Sequence, residues 1–204
     1  MKKYILRFFN HPDTVTESSL EHDMTRLPSW RRQKANTYHF LIDQVLCTEA
    51  FLLLQDCLKN YFGITSQIEF DYIKHDKPVL RGYYPNIHFN LSHCKKGAMC
   101  VIDNEPIGCD IEEIEEKLDM DVAHYCFNEQ ECQTIQESEN PCVEFTKLWT
   151  IKESVLKLTG EGINDSLPTL LTDKLLLQLD IKTVVREDLG YVYSICKYKK
   201  RTHA

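Results

Sequence analysis

The chain has 204 residues, 43% hydrophobic and 27% charged, the balance of a folded protein rather than a disordered one. Its 24 Lys and Arg stand against 31 Asp and Glu, a net charge of −7, which excludes the dominant basic surface that broad nucleic-acid binding needs. Nine cysteines occur without any C-x-x-C pair, so zinc-ribbon and thioredoxin-like spacings are excluded as well.

The first apolar stretch is broken by Arg7 and ends at His11-Pro12, too short for a secretory leader. No apolar run reaches the length of a membrane span. The expectation is a cytoplasmic, monomeric protein whose thiols are reduced and packed as small apolar side chains, with no membrane or nucleic-acid partner.

Residues 4–9 are a short apolar run closed by Asn10-His11-Pro12 and read as a first strand. Residues 17–24 suit a short helix that ends before Pro28. From 30 to 61, Tyr38, Leu41, Ile42, Val45, Leu46, Phe51, Leu54 and Leu58 recur near helical spacing, which predicts one long helix stopped by Gly63. Residues 68–73 alternate like a strand, and 74–86, with Pro78, Gly82 and Pro85, read as a looser stretch. Two strands follow at 87–91 and 98–102 around a turn at Lys95-Lys96-Gly97, and another at 107–111 after Asn104-Glu105-Pro106.

Residues 122–137 carry a helical pattern. Pro141 is placed to start a further helix through Leu158, with Gly160-Glu161-Gly162 as its stop. Residues 175–198 alternate like two or three antiparallel strands with Asp188-Leu189-Gly190 as a turn. The order implies an α+β fold in two halves, residues 1–102 and 103–204, around a shared cleft.

Four constellations bear on chemistry. In Gly108-Cys109-Asp110-Ile111-Glu112, strand alternation turns Asp110 and Glu112 to one face and Cys109 and Ile111 to the other. Two carboxylates so close repel, and a hard divalent cation relieves that repulsion. Gly108 permits a close approach of backbone or ligand. Taken alone, the run continuing through Glu113, Glu115 and Glu116 reads more simply as a solvated acidic face.

In the segment 149–157, Glu153 and Lys157 are four apart and share a helix face. The plainer reading is a surface ion pair; the apolar company of Phe145, Leu148, Trp149 and Leu156 argues for burial instead. A carboxylate beside a lysine suits phosphate chemistry, one holding metal and the other phosphate charge.

Phe89-Asn90-Leu91-Ser92-His93 is a strand entering a turn, where Ser92 and His93 could meet phosphate oxygens or simply cap the turn. There is no G-x-S-x-G elbow, and chain neighbours do not make a Ser-His triad. Basic residues Arg31, Arg32 and Lys34, then Lys74, Lys77 and Arg81, could hold an anionic cofactor or be solvated surface charge.

In order along the chain, HDKP at 75–78, FNLSH at 89–93, IGCDIE at 107–112 and LWTIKESVLKLTGEG at 148–162 resemble the signatures of the 4′-phosphopantetheinyl transferase superfamily. The resemblance is to its long, two-half, surfactin-synthetase-activating class, which serves peptide and polyketide synthases. It covers about residues 75–162.

It implies two similar α+β halves related by pseudo-twofold symmetry, with coenzyme A in the cleft between them. It implies transfer of the 4′-phosphopantetheine group from coenzyme A to a serine of an apo acyl or peptidyl carrier protein, with release of 3′,5′-ADP. Carried over by motif, Asp110, Glu112 and Glu153 would coordinate Mg²⁺. Lys77 and Pro78 would line the nucleotide site, and Ser92 and His93 would contact its phosphates. Lys157 would bind the pyrophosphate, with Arg31 and Lys34 as the basic residues offered to the 3′-phosphate. The catalytic set implied is Asp110, Glu153 and Lys157, with Glu153 or a water it orients as general base. Two other functions fit the same residues: a carrier-protein or acyl-chain binding module without turnover, and a Mg²⁺-dependent pyrophosphate hydrolase.

Overall fold

In the computed structural model, which describes residues 4–82, 84–163 and 166–200, contacts divide the chain into two units meeting in sequence at Glu105 and Pro106. The expected α+β composition is present: helices and antiparallel sheets in each unit.

In the first unit, strands β1 (Ile5–Asn10), β4 (His88–Cys94) and β5 (Gly97–Asp103) form an antiparallel sheet in the order β1-β5-β4. The long helix α3 (Leu41–Phe62) packs on it through Phe51, Leu54, Cys57 and Leu58, against Phe89, Cys100 and Ile102. Helices α1 (Glu17–Thr25) and α2 (Ser29–Ala35) cover α3, with Leu20, Met24, Leu27 and Ala35 in the same core. Trp30, Phe51, Phe70 and Phe89 form a chain of ring contacts with centroids 5.3–5.5 Å apart between Trp30 and Phe51, Trp30 and Phe70, and Phe70 and Phe89.

The long helix expected over 30–61 is two helices. The link is fixed by side chains the apolar period does not register. Thr37 Oγ1 donates to the Lys34 carbonyl at the end of α2, and Gln44 Nε2 donates to the Tyr38 carbonyl. Hydroxyl and amide groups of this kind compete with helix continuation. The looser stretch after residue 74 holds another strand: β2 (Phe70–Ile73) and β3 (Lys77–Leu80) pair as a hairpin with Tyr72 opposite Pro78. His75 (φ 53°) and Asp76 (φ 57°) take left-handed backbone at its turn.

The second unit repeats the topology. Strands β6 (Ile107–Glu113), β7 (Leu179–Arg186) and β8 (Tyr191–Tyr198) form an antiparallel sheet in the order β6-β8-β7. In the three-stranded sheet of each unit the chain runs strand, long helix, strand, strand, with the β2–β3 hairpin added in the first unit, and the last strand inserts between the other two. The long helix here is α6 (Pro141–Thr159), which starts at Pro141 behind an Asn140 cap and closes on Gly160 at φ 73°. The helical pattern over 122–137 is α4 (Met120–Cys126) and α5 (Glu129–Glu137), separated because Asn128 caps α5 in a reciprocal box with Glu131. A short helix α7 (Asp173–Leu176) precedes β7.

No helix among the described residues is long and apolar enough to cross a membrane. The nine cysteines are thiols, eight of them buried.

Candidate active site

Strand β6 and helix α6 approach one another at Gly108. A Cβ there would run into the Ser154 carbonyl oxygen and the backbone of Leu158, so only glycine allows this spacing. With Gly108 facing the helix, alternation turns Asp110 and Glu112 the same way. Register carries the same face across the sheet: Asp110 stands opposite Ser194, and Ser194 opposite Thr183. Ser194 Oγ is 2.9 Å from Thr150 Oγ1 on α6 and 2.8 Å from Thr183 Oγ1, which ties the helix to the sheet one turn before Glu153.

Lys157 reaches down from α6 and donates to Asp110 Oδ1 at 2.5 Å. Asp110 is 1% exposed at its side chain and Lys157 30%, so the carboxylate is sealed while the ammonium retains an edge to solvent. Burial alone would depress the Lys157 pKa; Asp110 first, and Glu153 with it, outweigh that, and the net shift is upward. The lysine is therefore held as a cation.

Glu112 lies further along the strand and is pushed up to about 7, first by burial and then by the Asp110 and Glu153 charges, while Lys157 and a hydrogen bond from Trp149 oppose the rise. Glu153 is also raised, by burial first and Asp110 next, with Lys157 opposing. Asp110 thus makes both glutamates harder to ionise, and Glu153 adds to the effect on Glu112. Glu153 Oε1 is buried with no hydrogen-bond partner among the described residues. Burial also raises the Cys109 thiol on the opposite face, which keeps it un-ionised.

Among the described residues no three His, Cys, Asp or Glu side chains stand close enough to hold a metal ion as they are placed. The cation the carboxylates share is Lys157. Their chemistry nonetheless fits a hard divalent ion: the donors are all oxygens, two carboxyls are raised in pKa by burial first and by the Asp110 charge as well, and Glu153 Oε1 is a buried acceptor with no donor among the described residues.

The remaining predicted residues lie in the first unit. Lys77 and Pro78 are half-buried on β3, and burial lowers the Lys77 pKa. His88, at the start of β4, is lowered too, by burial first and by the Lys77 charge second. Ser92 and His93 do not occupy a turn: β4 continues to Cys94, so the two side chains point to opposite faces, Ser92 buried and His93 exposed.

Arg31 is buried; it donates to the Cys47 carbonyl at 2.8 Å and its guanidinium lies 5.3 Å from the Phe51 ring centre. Arg32 donates to the carbonyls of Met24 and Thr25, finishing α1. Arg81 pairs with Glu69 and Asp71. Lys34 is exposed on α2.

Sequence reasoning missed two side chains. Trp149 reads as one more apolar position, yet it bears on Glu112, opposing the rise of its pKa. Lys152 reads as a surface charge, yet it is wholly buried.

Comparison with known proteins adds a family signal over the second unit. The profile of the 4′-phosphopantetheinyl transferase superfamily matches residues 106–196. The 4′-phosphopantetheinyl transferase psf-1 of Bacillus pumilus is 34% identical over 137 residues, covering 66% of this chain and 58% of that protein. The transferase gsp of Aneurinibacillus migulanus is 41% identical over 91 residues, 44% of this chain and 38% of its own length. The transferase Sfp of Bacillus subtilis strain 168 is 26% identical over 153 residues, 74% of this chain and 67% of Sfp. The matched part of the chain spans 58% of the first of these relatives and 38% of the second.

Proposed function

This chain belongs to the 4′-phosphopantetheinyl transferase superfamily, and on that premise we propose that it moves 4′-phosphopantetheine from coenzyme A to a serine hydroxyl of an apo carrier protein. The leaving group is 3′,5′-ADP. The observation that carries the reading is the buried Asp110–Lys157 pair flanked by Glu112 and Glu153, anionic and cationic groups set together where phosphate charge must be balanced.

Displacement at phosphorus asks for positioning and charge neutralisation more than for a protein nucleophile. Asp110, Glu112 and Glu153 are the side chains that would hold Mg²⁺, which when bound supplies Lewis-acid polarisation of the pyrophosphate. Lys157, with its edge open to solvent, offers its ammonium to the pyrophosphate oxygens and offsets charge on the departing ADP. Glu153 accepts the serine proton. Its raised pKa brings it toward the range in which a carboxylate works as a base near neutrality, and Oε1 has no competing donor among the described residues. In the first unit, Lys77 and Pro78 line the nucleotide, Ser92 or His93 meets its phosphates, and Lys34 is the candidate for the 3′-phosphate.

The test is to incubate the protein with coenzyme A, Mg²⁺ and an apo carrier protein, and to weigh the carrier. Phosphopantetheine on the carrier serine is the result expected. Release of 3′,5′-ADP with an unmodified carrier would assign hydrolysis instead, and an unchanged mixture would leave a binding module.

A further inference from the structure

Lys152 stands in the middle of α6, next to Glu153, and has no exposed surface. Its Nζ lies 2.7 Å from Glu131 Oε2, 3.0 Å from the Cys126 carbonyl, 2.9 Å from the Leu167 carbonyl and 3.4 Å from the Pro168 carbonyl. It also sits 4.8 Å from the centre of the Phe127 ring. These acceptors belong to three different segments: the last turn of α4, the first turn of α5, and the 3₁₀ turn Leu167–Thr169. The Glu131 oxygen is itself fixed, because it accepts the Asn128 N–H at 2.9 Å in the capping box of α5.

A buried ammonium is a costly way to hold a helix down. Taking the charge from water is unfavourable, and a well-packed apolar side chain of similar volume is commonly as stabilising or more so. What the ammonium supplies that an apolar side chain does not is direction: its donors must meet acceptors at fixed points, so the helix cannot roll about its axis without losing them.

On the sheet side, the roll of α6 is limited by Gly108 against Ser154 and by the Thr150–Ser194 hydroxyl contact. On the side of α4 and α5, the apolar contacts of Leu156 with that cluster are non-directional, and Lys152 is the polar fixture. Successive helix residues are about 100° apart, so a roll that frees Lys152 carries Glu153 and Lys157 sideways past Asp110.

We propose that Lys152 is a positioning residue for the transfer reaction, setting the roll of α6 that puts Glu153 and Lys157 opposite Asp110. The proposal rests on the transferase reading above. It touches neither substrate nor metal and acts through the helix.

The test compares the wild-type chain with Lys152→Met, which keeps the length of the side chain and removes its donors. Transfer to the carrier serine is followed under saturating coenzyme A, and a crystal structure of each protein gives the Asp110–Lys157 contact. Misplacement of a reacting group by about 1 Å can reduce rate about 100-fold. The expected result is a kcat fall of that order in folded Lys152→Met, with α6 rotated and the 2.5 Å contact lengthened or lost. Lys152→Arg, which retains donors and charge, recovers part of kcat.

A kcat within about threefold of wild type, or a reduced kcat with α6 unmoved, overturns the proposal; neither is compatible with a 100-fold positional effect. Should Lys152→Met fail to fold, Glu131→Gln keeps the cap acceptor while weakening the ion pair, and a smaller fall in kcat is expected; an unchanged kcat there also overturns it. A wild-type chain that transfers nothing defeats the transferase reading by itself, and the crystal comparison still decides whether Lys152 sets the helix.

Discussion

Replacing Gly108 with alanine tests the frame of the site without touching a charged group. The added Cβ would meet the Ser154 carbonyl oxygen and the Leu158 backbone, both in the body of the 19-residue helix α6, where neither can yield alone. Inserting a methyl into packed structure costs about 1–3 kcal/mol, and a collision with backbone belongs at the upper end. For a chain of this size each kcal/mol moves the midpoint by about 2–4 °C, so a fall of about 6–12 °C is expected in thermal unfolding followed by circular dichroism. The strand must shift away from the helix, and Asp110 is only two residues on. Transfer to the carrier serine measured well below the midpoint should therefore fall by about 100-fold even where the variant is folded. A Gly108→Ala protein with the wild-type midpoint would refute the close approach of β6 to α6 and everything built on it.

Other consequences follow from the same geometry. Asp110→Asn and Glu153→Gln preserve shape and should each lower transfer by more than about 100-fold while circular dichroism is unchanged; a wild-type rate in either removes that carboxylate from the chemistry. In the first unit, Glu49 is raised from 4.5 to about 7 by burial first and by Asp23 next. A raised carboxyl contributes stability that is full below its unfolded value and lost as pH rises through the folded one. Glu49→Gln should thus match wild type in urea unfolding at pH 4 and exceed it by about 1–2 kcal/mol at pH 8, after allowance for solvent screening; equal stability at both pH values would contradict the burial of that group. Of the nine thiols, Cys142 alone is not buried, so a thiol reagent should titrate one cysteine quickly in the native protein and the rest after unfolding. Rapid reaction of several thiols would mean the two cores are looser than described.

Much of the fold was legible because its signals are local. Pro141 and Gly160 bracket α6 as written in the sequence, and the alternation around Asp110 and Glu112 puts both on the face that meets the helix. The chain places Asp110, Glu112, Glu153 and Lys157 in one electrostatic neighbourhood, as motif order suggested. The break between α2 and α3 was not legible, since apolar spacing runs on through residues whose side chains end one helix and brace the next. Strand β3 was hidden by Pro78, which tolerates an edge position that a sequence pattern discounts. Arg31 looks like a phosphate ligand because arginine is read as surface; nothing local reveals that it is buried with Nη2 donating to the Cys47 carbonyl. Lys152 was hidden for the same reason, its partners lying 15 to 26 residues away in the chain.

The proposed transfer needs one arrangement: carboxylates of β6 and α6 holding a divalent ion with the coenzyme beside Lys157. Crystals grown with coenzyme A and Mn²⁺, measured at the manganese absorption edge, test it directly. An anomalous peak bounded by Asp110, Glu112 and Glu153, touching the pyrophosphate, is the predicted result. A peak elsewhere, or coenzyme A bound with no peak among those three side chains, would contradict it.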